Sequence, residues 1–149
     1  MKRMLPWILL LVVLAAVGAS VAVRFLMVEE KPVDPRGLSV EVLNGCRVPR
    51  LGRAVADELQ LRKFDVRMVG NVDSVYNETT LVERVDPAGS HARRIAEYLG
   101  VQRRLLGLPF GDKQHPLITV ELDSSRYVDV SIVVGSDYEV FLPDAVPLH

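Results

Sequence analysis

Arg47, Arg50 and Arg53 stand three residues apart around the expected start of a helix, the one location in this chain that stands out chemically. Cations at a helix N-terminus oppose the helix dipole by roughly 0.3–1 kcal/mol each, so the placement is mildly disfavoured unless an anion meets them. Such an anion would take the unpaired N–H groups of the first turn together with the guanidinium forks. The plainer reading is a solvated cluster paired with Asp57 and its neighbours, which is the usual state of surface charge. Immediately upstream, Asn44-Gly45 has the composition of a tight strand-to-helix turn, with glycine free to take a positive φ and asparagine able to bond nearby amides. A direct ligand role for the pair is the second reading, because loops on rigid scaffolds carry function.

Cys46 follows that turn, and a thiol near a helix start can have a lowered pKa. With His91 and a carboxylate it would make a cysteine-hydrolase constellation. No local signature of such an enzyme surrounds it, and small cysteines are commonly core residues. The chain is therefore expected to be non-enzymatic, with the hydrolase as a remote alternative. His91, His115 and His149 are scattered and no Cys or His pair has zinc spacing, so no metal site is expected. No motif points to a cofactor.

The elements that must position these residues are legible from periodicity. Leu38, Val40 and Val42 alternate with Ser39, Glu41 and Leu43, a strand that stops at Asn44-Gly45. Leu51, Ala54, Val55 and Leu59 share one helical face, with Arg53, Asp57 and Gln60 opposite and Pro49 suited to the first turn. Val66, Met68 and Val69 make a second strand, and Thr79 to Val85 a third. Asp86 and Pro87 open a second helix whose stripe is Ala88, Ala92, Ile95, Ala96 and Leu99, and Gly100 ends it. Residues 101–126 are broken by Gly107, Pro109, Gly111 and Pro116, with Leu117 to Leu122 able to add an edge strand. Val128, Val130, Ile132 and Val134 form the last core strand, ending at Gly135. The order is β-α-β-β-α-β, an α/β (α+β) domain of about four strands with two helices on one face.

Ahead of this domain, Leu5 to Val23 carries no charged residue. A run of roughly 20 apolar residues matches a hydrocarbon core of about 30 Å, which makes the N-terminus a transmembrane helix. Lys2 and Arg3 precede it, so the N-terminus is expected inside and the domain outside. The alternative is a cleaved signal peptide with a small-x-small site at Ser20-Val21-Ala22, but the apolar run is longer than such peptides carry. The expected organisation is residues 1–28 as cytoplasmic N-terminus and membrane helix, 29–37 as a proline-containing tether, 38–137 as the domain, and 138–149 as a tail that lies loose or packs on the surface. Of the 18 Lys and Arg, Lys2, Arg3 and Arg24 flank the apolar run, leaving 15 against 19 acidic residues beyond it. A net-acidic domain argues against a nucleic-acid partner.

Val40-Glu41-Val42-Leu43-Asn44-Gly45, the helix residues Leu51, Ala54, Val55, Ala56 and Leu59, and Phe64-Asp65-Val66 together resemble the LytR C-terminal domain. The closing run Asp129-Val130-Ser131-Ile132-Val133-Val134-Gly135-Ser136-Asp137 is similar to that family's last strand and its Gly-x-Asp. The chain departs from the pattern at Cys46-Arg47, where small residues are usual, and at Lys63, where glycine is common. The resemblance implies the accessory module of LytR–CpsA–Psr envelope proteins, here alone behind a membrane anchor and without their phosphotransferase domain. It implies a bacterial cytoplasmic membrane, a domain in the periplasm or extracellular envelope, and a partner that is an anionic cell-wall polymer or an envelope-assembly protein. On that reading Asn44, Gly45, Arg47, Arg50 and Arg53 are the candidate ligand-binding residues. The alternative is a scaffold that recruits LytR–CpsA–Psr ligases by protein contact.

Overall fold

Val40 and Val42 are completely buried in β1 (Ser39–Asn44), as the alternation requires, but Ser39, Glu41 and Leu43 are buried too. The computed structural model, which describes Asp34 and residues 37–102, 104–105, 108–109 and 111–147, gives the reason. β1 is not half-exposed: it lies between β2 (Asp65–Asn71) and β7 (Val130–Val134), parallel to both. β7 in turn runs antiparallel to β3 (Thr80–Glu83), and β3 is parallel to β6 (Leu117–Val120). The sheet thus has five strands in the order β2-β1-β7-β3-β6, rather than the four expected. The extra strand is β6, on the edge that Leu117 to Leu122 was able to supply. A two-residue hairpin of β4 (Arg104–Leu105) and β5 (Leu108–Pro109) precedes it.

Two β-α-β units stand side by side, and β7 is inserted between them. α1 (Leu51–Leu61) crosses from β1 to β2, and α2 (Ser90–Leu99) leads from β3 towards β6. Parallel neighbours need such crossovers, and a right-handed path returns each helix to the sheet. The stripes of both helices enter one core with Val40, Val42, Leu81, Val130, Ile132 and Val134, so both helices lie on one face. Each fully buried Leu, Val or Ile contributes about 1.5–3 kcal/mol, and this shared layer is what fixes the strand ends that carry the candidate residues. At one margin Phe64 meets Tyr98 edge to face, with ring centroids 5.4 Å apart.

α2 begins at Ser90, later than the Asp86-Pro87 signal suggests. Asp86 caps from a distance, its carboxylate accepting from the N–H of Ala88 at 2.9 Å and of Ser90 at 3.1 Å. The tail does not lie loose: Phe141, at the end of α3 (Tyr138–Phe141), and Leu142 and Ala145 beyond it are buried in the core. The expected membrane helix lies outside the described residues. Among the described residues, no helix is long and apolar enough to cross a membrane.

Candidate functional site

Asn44 ends β1 and spends its side chain on the loop that follows. Its amide donates to the carbonyl of Val48 at 2.8 Å, and its carbonyl oxygen accepts from the N–H of Cys46 at 3.2 Å. Gly45 is not needed for a positive φ, since it has none. It is needed for room: a Cβ there would lie 3.0 Å from the Tyr76 ring and 3.0 Å from the carbonyl oxygen of Val134. The Gly-x-Asp that closes β7 works the same way. A Cβ on Gly135 would fall 2.3 Å from the carbonyl carbon of Glu78, and Asp137 accepts from both the N–H and the hydroxyl of Thr79 at 2.6 Å. These motifs therefore hold the loop before β3 across the ends of β1 and β7.

The arginines divide. Arg47 and Arg50 both adopt left-handed backbone, with φ of 58° and 60°. That conformation costs a residue with a Cβ about 1–2 kcal/mol. Arg50 occupies the N-cap of α1 without a side-chain cap bond, and its carbonyl accepts from the N–H groups of Arg53 and Ala54. Arg50 and Arg53 border a groove of about 560 Å³ between the outer face of α1 and the C-terminal segment. Arg47 is not among the residues that line it. Ala54 and Leu61 contribute apolar surface from α1, and Val146 contributes it from the tail.

Carboxylates line the same groove: Asp57, the partner expected for the arginine cluster, and also Glu58 and Asp144. Asp57 pairs with Arg53 at 3.1 Å, both side chains being more than half exposed, which is the solvated pairing expected of a surface cluster. Asp144 enters from the tail, 3.9 Å from the Arg62 guanidinium. Glu58 is 5% exposed. One of its oxygens pairs with Arg62, while the other, Oε2, is buried and makes no hydrogen bond of normal geometry among the described residues. Burial pushes the Glu58 carboxyl above the usual carboxylate range, against the pull of Arg62 and of the backbone N–H of Ala145. A sequence signal for Glu58 existed, because it lies seven residues after Leu51 and three after Val55, within the buried stripe.

Elsewhere among the described residues, buried charge is matched. On the sheet face away from the helices, Glu41 meets Arg126 at 2.9 and 3.1 Å and accepts from the Ser131 hydroxyl. Arg84 donates to that same hydroxyl at 2.6 Å and pairs with Glu121 at 3.2 Å. Glu83 receives the N–H of Ala92 and pairs with His91, both at 2.9 Å. The hydrolase pairing is not assembled. His91 is held at the end of β3, whereas Cys46 follows the end of β1, and the register places those ends about four residues of strand apart, roughly 13 Å. Among the described residues, no group of three His, Cys, Asp or Glu is placed to hold a metal ion.

No curated protein and no solved structure matches the chain. A family model, that of the LytR cell envelope-related transcriptional attenuator, matches residues 37–138, which is more than half of the sequence. The matched span contains β1, α1 and β7 with their Asn44-Gly45 and Gly135-x-Asp137 ends, the features on which the resemblance rests. The chain belongs to this cell-envelope-related LytR family.

Proposed function

We propose that this protein is a non-catalytic accessory of a bacterial cell envelope. In this reading the N-terminal segment spans the cytoplasmic membrane with its N-terminus inside, and the domain in the periplasm or extracellular envelope binds an anionic cell-wall polymer. The supporting observation is the groove on α1, where Arg50 and Arg53 stand beside apolar surface in a volume typical of ligand sites, roughly 300–1,000 Å³. Arg47, on the preceding turn, adds positive charge for the approach of a polyanion. Confinement to a membrane raises local concentration, so weak contacts suffice for retention.

The test is co-sedimentation of the full chain, in detergent micelles, with cell-wall sacculi. Wild type should be retained and released by salt, and the variant with Arg47, Arg50 and Arg53 all changed to Ala should lose most of that retention. Equal retention of the triple variant would sink the proposal. A second reading is favoured by the sheet edges: β2 leaves Met68 and Val69 exposed, and β6 leaves Leu117 and Val120 exposed. Unpaired strand edges accept a partner's strand, so this reading is a scaffold for LytR–CpsA–Psr ligases. Crosslinks from those edges to a ligase, with no retention on sacculi, would decide for it.

A further inference from the structure

The start of β1, where the chain enters the domain, shares one end of the sheet with the ends of β3 and β6. Ser39 adjoins Asp65, Val40 adjoins Val130, and Val130 and Val120 both stand beside Glu83. The pairing runs on past the strands, Glu121 donating to Glu83 and Asp123 to Arg84, which carries Leu122 alongside the chain at Val85. Val85, Val120, Leu122 and Tyr127 are all exposed at this end, Tyr127 by 82%. Tyr127 presents its ring from left-handed backbone, φ 55°, which side chains rarely adopt. The charges nearby are matched among themselves: Arg126 lies 3.2 Å from Asp123 and 2.9 Å from Glu41, and Asp86 takes the N–H groups of Ala88 and Ser90. An apolar environment approaches paired groups at less cost than lone charges.

Where the chain arrives decides what this end can face. Arg94 of α2 donates to the carbonyl of Asp34 at 2.7 Å, which fastens the tether beside α2, and α2 itself starts at this end, after β3. Residues 29–33 then separate Asp34 from the end of the expected membrane helix, at most about 18 Å of extended chain. A domain of about 110 residues has a radius of gyration near 13 Å and is roughly 34 Å across. The leash is shorter than the domain, so the opposite end, with Asn44-Gly45 and Arg50, cannot turn to the bilayer. Tyrosine rings settle at the membrane–water interface, and aliphatic side chains gain by leaving water. Resting on the membrane-anchored reading above, we infer that this end of the domain docks on the outer surface of the lipid bilayer, with Tyr127 and Leu122 at headgroup level and Val85 and Val120 beside them. The arginines at the opposite end are thereby turned outward, away from the membrane.

Photo-crosslinking of the full chain in liposomes of phosphatidylethanolamine and phosphatidylglycerol, doped with a lipid carrying a diazirine at headgroup level, tests this. Crosslinks mapped by mass spectrometry should fall on residues 120–127 and stay near background on residues 47–53. Leu122→Ser combined with Tyr127→Gly should lose most of that labelling. Glycine accepts left-handed backbone, so Tyr127→Gly alone should not lower the urea midpoint, and its share of the loss is then not a loss of fold. Equal labelling of the two ends, or labelling that survives the double variant, overturns the inference. A second lipid, with the diazirine in its acyl chain, reports the anchor separately through crosslinks within residues 5–23. If these form while residues 120–127 stay unlabelled, the docking fails and the anchored reading stands. If neither segment is labelled, both fail.

Discussion

Glu83 and Glu58 are both glutamates withdrawn from water beside a helix, and the chain treats them in opposite ways. Around Glu83 every acceptor is used: Oε1 meets His91 at 2.9 Å and the N–H of Asp86 at 3.1 Å, and Oε2 takes the N–H of Ala92. The His91 ring and the Ala92 N–H belong to the first turn of α2 and the Asp86 N–H to the loop that leads into it, so the carboxylate ties the start of that helix to the neighbouring strand. Burial alone would raise its pKa, yet the N–H of Ala92 and the His91 ring prevail and hold it below the usual range. Glu58 has Arg62 on one oxygen and, among the described residues, no hydrogen bond of normal geometry on the other, and there burial prevails over the pull of Arg62 and of the Ala145 N–H. A buried carboxylate stabilises a fold when its partners are complete and carries an uncompensated cost when they are not. The first case is scaffold. The second is a buried helix carboxylate whose bonding capacity folding leaves partly unused.

Removing each carboxylate is the strongest way to break this contrast. Glu83→Ala strands the N–H groups of Ala92 and Asp86 and opens a void, and should lower stability by about 3–5 kcal/mol. Glu58→Gln keeps a hydrogen bond to Arg62 and removes a desolvated charge, so it should change stability by less than about 1 kcal/mol in either direction. Pulse proteolysis of the full chain across a urea series measures both. Comparable losses at the two positions would mean that Glu58 is as completely partnered as Glu83.

The same contrast separates what was legible in the sequence from what was not. The stripes of α1 and α2 follow from local spacing, because each helix buries one periodic face whatever its neighbours are; Ala88, exposed and ahead of α2, is the exception. Glu41 defeated that logic. Alternation sends it to solvent, but β1 is a central strand, and the residue that matches its charge, Arg126, is 85 positions away. The insertion of β7 between β1 and β3 was hidden for the same reason, since strand order is a property of the whole sheet. At the candidate site, Arg50 and Arg53 were visible because their type and spacing are local. Asp144 was not, because proline-bounded tail residues give no sign that Phe141, Leu142 and Ala145 will dock and bring it to α1. The Asn44-Gly45 turn was recognised, but its demand is for space against Tyr76 and Val134, which only tertiary structure reveals.

Acid titration sharpens the comparison, because the two groups act with opposite sign. Glu83 has a folded pKa below its ordinary 4.5, so its contribution is present above that value and is lost as pH falls through the depressed one. Glu58 has a folded pKa above 4.5, so the relative stability of its protonated form is full below 4.5 and is lost as pH rises through the raised value. Measured against wild type, Glu83→Gln should therefore look least harmful at the most acid pH, where wild type has lost its advantage. Glu58→Gln should look most favourable at neutral pH, where wild type carries the ionised carboxylate. Parallel pH profiles for the two variants would show that one of these environments is misassigned.

The smallest effect separates binding from stability at the groove itself. Arg53 and Asp57 form an i,i+4 pair whose side chains are 73% and 55% exposed, and such pairs contribute no more than about 0.5 kcal/mol. Arg53→Ala should therefore leave the urea midpoint nearly unchanged while weakening retention on sacculi, and added salt should narrow the difference in retention between variant and wild type. If the midpoint falls as far as it does for Glu83→Ala, the arginine belongs to the scaffold, and the division between a saturated α2 and an open α1 no longer holds. An unchanged midpoint with weakened retention places Arg53 on the open side of that division, because it would affect a ligand and not the fold.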